Sequence, residues 1–424
     1  MAKVSSRKKS RTATVADIAH VGVGTPCGDW FRRYWVVVGI ARDLYDIPQA
    51  VKVLGEDLVL LRDEFGKFGL LGLHCPHRGT SLEYGDIENG GLRCPYHGWL
   101  FDVTGQCLEM PAEPKDSKFP QKVRHLSYPV QELGGLLFAY MGPEKNPPPL
   151  PKYAPLLDRG GQRQIEPVRH ADYNWFNFFE NSADPAHVCI LHRHAGYGQQ
   201  SWGNQFFSYT DMPHFEFVEM NYGMKVVMTK PGPKPQTEFV DEMSLALPSI
   251  VQVGDTEFVH AKMDAVALMT EGTRCEHWMF VTPNDDEHFM LFTADNYVGP
   301  VENFFDRLKE MRSRETPVQE VKSYDKRKYM PYKGNIRQED IITQGTQGLL
   351  GERSEQLGSS DRGVIKFRKI VLDAINTALD GGRPKGLVAH KNADAVVRLD
   401  SQVGVRPVGT KNLSPLPQSE RGHL

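Results

Sequence analysis

The sequence predicts an α+β protein in two parts. An all-β domain over residues 30–145 precedes a second domain over 156–384, in which an antiparallel sheet carries flanking helices. Three observations lead there. The chain has 424 residues, more than the roughly 250–300 at which a single hydrophobic core stops growing. Residues 141–155, MGPEKNPPPLPKYAP, hold six prolines in fifteen positions, a composition that neither a helix interior nor a central strand tolerates, so the boundary falls there. Apolar spacing also changes across this boundary, from short β-rich runs before it to stretches with helical spacing after it.

In chain order, residues 1–29 read as an N-terminal arm. Its start carries Lys3, Arg7, Lys8, Lys9 and Arg11 with no interleaved aromatic residue, a mobile or partner-contacting segment rather than a nucleic-acid site. Between 35 and 140, short β-rich runs such as 51–54, 58–62 and 69–73 are separated by glycine, proline and acidic turn residues, the pattern of a small antiparallel sandwich or barrel. After the boundary, 174–192 mixes aromatic and polar residues without alternation and reads as a helix running into a loop. Strands are expected at 215–220, 224–228, 257–263 and 276–281, and helices at 301–320 and 364–379. In the last of these, Ile365, Ile370, Val371, Ala374, Ile375, Ala378 and Leu379 form one apolar face. Residues 385–424 read as an extension lying on the surface. No internal repeat interrupts this order.

Composition removes several functional classes. With 40% hydrophobic and 24% charged residues, the chain has the material for a packed core. A net charge of −3 gives no field that would draw nucleic acid or an anionic membrane as the main partner. No apolar stretch of signal-peptide length follows the basic start, and the longest apolar run, WVVVGIA at 35–41, is far short of the ~20 residues a spanning helix needs. A cytoplasmic protein is expected. Six cysteines are too few for a disulfide scaffold. Cys27, Cys107, Cys189 and Cys275 share no pattern, whereas Cys75 and Cys94 each open a Cys-Pro loop with a histidine two or three residues on.

The first chemical constellation is Cys75-Pro76-His77, sixteen residues, then Cys94-Pro95-Tyr96-His97. Two thiolates and two imidazoles could ligate zinc or a [2Fe–2S] cluster with cysteines on one iron and histidines on the other. A zinc finger uses a cysteine pair followed by a histidine pair. Here each loop supplies one of each, as a two-iron cluster clamped between two loops requires. Gly79 and Gly98 follow closely and Pro76 and Pro95 stiffen the loops, which lets backbone N–H groups approach the sulfurs. Replacing two thiolates by imidazoles removes negative charge and raises the cluster's potential. The plainer reading, buried cysteines beside satisfied loop histidines, does not account for two matched loops.

The second constellation lies in NWFNFFENSADPAHVCILHRH, which holds Asn181, Asp184, His187 and His192 as Asn-x-x-Asp-x-x-His-x4-His. Two imidazoles and one carboxylate on one face of Fe(II), with the other positions open, form the facial triad of O2-activating iron sites. An Asp three residues before a His on one helix face can orient it. A spacing of five between the histidines places His192 where the helix ends or bulges. His194 is a competing ligand, and Cys189 reads as a packed side chain. The carboxylate must come from downstream, where Glu339, Asp340, Glu352 and Asp361 are the candidates.

The run CPYHGWLFDVTGQC, with the two Cys/His loops before and within it, resembles the Rieske domain. Respiratory Rieske proteins add a cysteine to each loop and carry a membrane anchor; this chain has Thr80 and Tyr96 near the loops and no anchor, and so resembles the oxygenase branch. The resemblance covers roughly residues 30–380, because the second constellation stands where the Rieske non-haem iron oxygenases carry their catalytic motif. It implies a helix-grip-like catalytic domain, with a Rieske [2Fe–2S] cluster on Cys75, His77, Cys94 and His97. It further implies a mononuclear Fe(II) on His187, His192 and one carboxylate. The segment RQEDIITQGTQGLLGERSEQLGSSD resembles the phthalate-dioxygenase-like subgroup, in which a QD-type motif before a helix supplies the third ligand; that maps onto Asp340, with Glu339 as runner-up because it interrupts the QD form.

The same resemblance implies a catalytic role for Asp184 and Asn181, with Asp184 linking His187 to a cluster histidine of an adjacent chain, His97, in a homotrimer or stacked trimers. No dinucleotide fingerprint is present, so electrons are expected from NAD(P)H through a separate reductase, with or without a ferredoxin. The implied substrates are O2 and an aromatic carboxylate. O-demethylation of a methoxylated, lignin-derived acid leads, and ring hydroxylation of a phthalate-like acid is the alternative. Lys225, Lys230 and Arg274 are cations that could meet the carboxylate. Two other classes remain to be separated at this point: an electron-transfer protein holding only the cluster, and a zinc-binding structural module.

Overall fold

The computed structural model describes residues 12–157, 162–192, 212–232, 234–256, 274–298, 336–399 and 401–410. The basic start, the strand expected at 257–263, the helix expected at 301–320 and His194 lie outside these residues.

Three small antiparallel sheets make the N-terminal half. Trp35–Ile40, Leu136–Tyr140 and Val130–Leu133 form one, and Gln49–Val53, Glu56–Arg62, Phe68–Gly72 and Ser127–Tyr128 the second. The third is a four-stranded meander of Asp86–Glu88, Gly91–Arg93, Leu100–Asp102 and Cys107–Glu109. The expected strands therefore form, within a residue or two of where alternation and turn residues place them. The C-terminal half is built on one nine-stranded sheet. Its main path runs Gln162–Ile165, Phe289–Val298, Arg274–Pro283, Ile250–Thr256, Thr237–Ala246, Gly223–Pro231 and His214–Glu219, with every pairing antiparallel.

Five helices are described. α1 is Pro26–Phe31, α2 Trp175–Asn181, α3 Ala186–Ile190, α4 Ile336–Gly345 and α5 Arg362–Leu379. α5 buries Val364, Phe367, Ile370, Val371, Ala374, Ile375 and Ala378, a stripe at three- and four-residue spacing. Ile365 and Leu379, assigned above to that face, are 47% and 37% exposed instead. They stand about 100° from Val364 and Ala378 on the helix wheel, and Phe367 takes the core position.

Two further readings are corrected. The segment 12–29 is no arm. Thr25 caps α1 by accepting from the Gly28 N–H, and Pro26 sits at the first turn, where its missing N–H costs nothing. Ile18, Ala19, Val21, Cys27 and Trp30 are fully buried. The Ala13 N–H donates to Asn376 Oδ1 of α5 at 2.8 Å, Asn174 Nδ2 donates to the Ala19 carbonyl at 2.9 Å, and Phe31 meets Trp175 edge-on at 4.8 Å. The elements here are one turn long, too short to show a period. The described part of the C-terminal extension, up to residue 410, is likewise integrated: Val403–Pro407 pairs with the strand Thr237–Ala246, and Val396–Val397 runs parallel to Lys152–Tyr153.

The proline-rich stretch is free of helix until Ala154–Leu156 turns once as 3-10, but it is a packed seam rather than a loose linker. Trp35 Nε1 donates to the Pro148 carbonyl at 2.7 Å, and the buried Tyr153 lies against Phe138, Trp278 and Phe280. One hydrophobic core accordingly runs from Ala13 through Trp35–Ile40 and Leu136–Tyr140 into the large sheet, α2 and α5. A separate, smaller core gathers Val59, Leu61, Leu71, Leu82, Leu92, Trp99, Phe101 and Met110 around Cys75, Cys94 and Cys107. No described helix is long and apolar enough to cross a membrane.

Candidate metal centres

Cys75 and Cys94 begin two loops with the same backbone frame. In the first, the Cys75 N–H donates to the Thr80 carbonyl and the Gly79 N–H to the Cys75 carbonyl, both at 2.8 Å. In the second, Cys94 donates to Trp99 at 2.8 Å and Gly98 to Cys94 at 3.0 Å. Each loop closes through a glycine in the left-handed region, Gly79 at φ +79° and Gly98 at φ +74°, which a side chain would strain. The histidines differ by one place within this common frame, His77 second and His97 third after the cysteine.

Burial divides the four residues. Cys75 and Cys94 are 2% and 3% exposed, while His77 is exposed and His97 half-buried. The two rings stand edge to face at 4.6 Å, and the indole of Trp99 stacks on His77 at 4.5 Å and 9°. Burial pushes the Cys75 thiol up to about 11, and the neighbouring Cys94 adds to the rise. The Cys75 thiol is therefore held protonated until a cation stands beside it, which is what a cluster iron would supply. Burial lowers His97, with His77 and Arg78 adding to the fall, so the His97 ring favours the neutral form that ligates metal. The donor set fits a [2Fe–2S] cluster with its cysteine iron inward and its histidine iron at the surface. The five cysteines described in full, Cys27, Cys75, Cys94, Cys107 and Cys189, are buried and free.

The second centre is assembled from two distant segments. Asn174 caps α2, accepting from the Phe176 N–H at 3.0 Å, and the helix ends at Asn181. The single helix expected here is two, because Pro185 disfavours helical backbone at Asp184. Asp184 thus lies in the turn before α3 rather than on a helix face with His187. Its backbone carbonyl, not its carboxylate, accepts from His187 Nδ1, and its carboxylate accepts from the Ala186 N–H at 3.2 Å. His192 follows the end of α3 and is 3% exposed.

α4 is drawn against α2 by a polar staple. Asn177 Nδ2 donates to the carbonyls of Gln344 and Gly348, each at 3.1 Å, and the Tyr173 hydroxyl donates to Gln344 Oε1 at 2.8 Å. This brings Asp340 Oδ1 to 3.4 Å from His192 Nε2 and 3.8 Å from His187 Nε2. The ligand atoms of His187, His192 and Asp340 all lie within 4.8 Å of one another. Donors about 2.1 Å from one ion at right angles sit ~3.0 Å apart, so the trio fits a single small cation with modest closure. Asn181 Nδ2 stands 3.2 Å from His187 Nε2 and 3.5 Å from Asp340 Oδ1, at the rim of the same space.

Asp340 sits inside α4 rather than ahead of a helix. Glu339, fully buried, takes the far side of His192 and accepts from Nδ1 at 3.0 Å. Burial pulls the His192 ring down, but Asp340 and Glu339 outweigh it and raise the ring to about 9. Glu352 is exposed and lies outside the trio, as does Asp361 at the start of α5.

Of the cations proposed to meet substrate, Lys225 is paired with Glu242 at 3.1 Å. Lys230 is buried on the face it shares with Met224, Val226 and Met228. The Arg274 side chain is not among the described ones. Two polar groups carry no sequence signal, and the first of them lies beside the site. One is an ionic ring in which Glu180 and Glu355 each bridge Arg353 and Arg368; it borders a cavity of about 360 Å³ that Asn181 and Asp184 also line. The other is the buried Asp295, which accepts from His277 Nδ1 at 2.5 Å and from the Tyr297 hydroxyl at 3.4 Å.

Comparison with known proteins agrees with this geometry. Residues 34–129 match the family profile of the Rieske [2Fe-2S] domain. The chain is 35% identical over 399 residues to the phenoxybenzoate dioxygenase subunit alpha of Ectopseudomonas oleovorans, spanning 91% of this chain and 90% of the relative. It is 30% identical over 383 residues to the 5,5'-dehydrodivanillate O-demethylase oxygenase subunit of a Sphingobium strain, spanning 88% and 82%. Among solved structures, dicamba monooxygenase bound to 3,6-dichlorosalicylic acid superposes with a TM-score of 0.60 at 16% identity, over 83% of this chain and 99% of that one.

Proposed function

Because this chain belongs to the Rieske non-haem iron oxygenases, as the oxygenase component of a multicomponent system, we propose that it removes the methyl group of a methoxylated, lignin-derived aromatic acid. In this reading Cys75, Cys94, His77 and His97 hold the cluster, and His187, His192 and Asp340 hold a mononuclear Fe(II). Asn181 borders the reacting space, and the Asp184 carbonyl fixes the tautomer of His187 by accepting from Nδ1. Bound Fe(II) supplies O2 activation on one open face. The observation that carries the iron assignment is the convergence of His187 Nε2, His192 Nε2 and Asp340 Oδ1.

The substrate reading rests on the relatives. Phenoxybenzoate and dehydrodivanillate, named in the two similar oxygenase subunits, are both aromatic carboxylates with an ether oxygen on the ring. Oxidative demethylation takes Ar–O–CH3, O2, two electrons and two protons to Ar–O–CH2OH and water; the hemiacetal then releases formaldehyde and leaves Ar–OH. The electrons come from NAD(P)H through a separate reductase, with or without a ferredoxin. The alternative is ring hydroxylation of a phthalate-like acid, favoured by the dioxygenase name of the 35% relative.

We further infer a homotrimer in which the exposed His77 and half-buried His97 of one subunit approach Asp184 of the next. Two features support it: the cluster's histidine edge faces outward, and Asp184 lines a cavity beside the iron site. The test is O2 uptake by the reduced protein with a panel of methoxylated and unmethoxylated aromatic acids, assayed for formaldehyde. Formaldehyde equal to O2 consumed is expected. Consumption of unmethoxylated acids alone, with hydroxylated rings as product, would overturn the demethylase reading.

A further inference from the structure

We propose that Glu339 is a positioning residue of the mononuclear site: its carboxylate grips His192 from behind and makes it the stronger donor of the two imidazoles. The inference rests on the ligand set proposed above.

Neighbouring residues on a helix point about 100° apart, so Glu339 and Asp340 of α4 cannot both face one point. The structure divides them across a single ring. Asp340 Oδ1 lies 3.4 Å from Nε2 of His192, and Glu339 Oε2 lies 3.0 Å from Nδ1. His192 is thereby fixed in the tautomer with Nδ1–H, which leaves the Nε2 lone pair directed at the space shared with His187 and Asp340. A metal-bound histidine whose other nitrogen donates to a carboxylate is both oriented and made more basic.

His187 lacks that partner type. Its Nδ1 donates to the neutral Asp184 backbone carbonyl, so the two imidazoles differ: one is backed by an anion and the other by an amide. Position sharpens the contrast. Glu339 is fully buried and the His192 side chain 4% exposed, so the charge acts on the ring with little solvent screening. With Glu339 included, a divalent ion bound here would face two carboxylates in place of one, and the added negative charge would let it give up an electron more readily.

The test compares Glu339→Gln, which keeps shape and an acceptor oxygen but not the charge, with Glu339→Ala, beside His192→Ala and Asp340→Ala. Three quantities are read: iron retained after anaerobic dialysis against a chelator, the reduction potential of the mononuclear iron, and the cluster's visible absorption as a folding control. Glu339→Ala should weaken iron retention by about 10–100-fold, Glu339→Gln should fall between it and the parent with a raised potential, and the cluster absorption should stay unchanged. Parent-like retention and potential in both Glu339 variants, while His192→Ala and Asp340→Ala lose iron, would overturn this inference alone. Iron retained in His192→Ala and Asp340→Ala would overturn the ligand set beneath it. Loss of iron from Glu339→Gln as complete as from Asp340→Ala would make Glu339 a ligand and also end the proposal.

Discussion

The two candidate metal centres are built by opposite strategies. The cluster loops take their ligands from one short stretch, 75–97, and each closes on itself with two backbone hydrogen bonds and one left-handed glycine. Their small core is separate from the rest. The proposed iron site has no such local frame. Its histidines stand in a broken helix, its carboxylate arrives on α4, and the contact between His192 and Glu339 joins residues 147 apart in sequence. What holds it is the staple of Tyr173, Asn177 and Gln344 and the ionic ring behind α2. A centre written into loops can fail without touching its surroundings, whereas a centre assembled by packing fails with its scaffold.

The strongest test of this independence is ligand removal. His192→Ala should leave one iron fewer per chain and bring turnover to background, while the cluster's visible spectrum stays intact. Metal analysis beside absorption spectroscopy checks both, and loss of the cluster signal would show the two centres to be coupled in folding.

A smaller effect probes the loop side. An added Cβ at Gly98 would meet Pro111 Cγ at 2.9 Å, whereas at Gly79 nothing lies within 4 Å. Both positions carry the left-handed strain of roughly 1–2 kcal/mol, so Gly98→Ala should cost cluster retention more than Gly79→Ala. Neither should change iron bound at the mononuclear site. The comparison fails if the two variants lose the cluster equally.

The smallest effect concerns the brace on the packed side. Arg368, then Arg353, hold Glu355 down at about 2 from its ordinary 4.5, against a rise from burial. A depressed carboxylate contributes stability in full above its unfolded value and loses it as pH falls through its folded one. Urea unfolding of the parent and of Glu355→Gln should therefore differ at neutral pH, and the gap should narrow from pH 4.5 toward about 2. A gap independent of pH would remove the ionic ring from the account.

The same contrast explains what the sequence made legible. Cys75, His77, Cys94 and His97 are expected from spacing to form one site, and the backbone frame that carries them lies in the same few residues. The expected strands between 49 and 72 form for a similar reason: their alternation and turns are local. The motif suggests His187 and His192 as a pair, and the structure brings them together with Asp340, but the break at Pro185 and the placement of the Asp184 carboxylate depend on the turn actually adopted. Glu339 and Asp340 could not be told apart by residue type, since only the approach of α4 to His192 decides which side of the ring each takes. The buried segment at 12–29 and the strand Val403–Pro407 gave no period to read; their burial comes from partners hundreds of residues away.

The seam at 141–155 has a consequence for how the protein comes together during synthesis. Since Trp35–Ile40 and Leu136–Tyr140 belong to the same core as α2 and α5, these strands lack those packing partners until the second half of the chain has been made. The cluster lobe, closed by its own residues, has no such wait. The expected order on a growing chain is the cluster lobe first and the proposed iron pocket later, with Val403–Pro407 joining its partner strand Thr237–Ala246 after both.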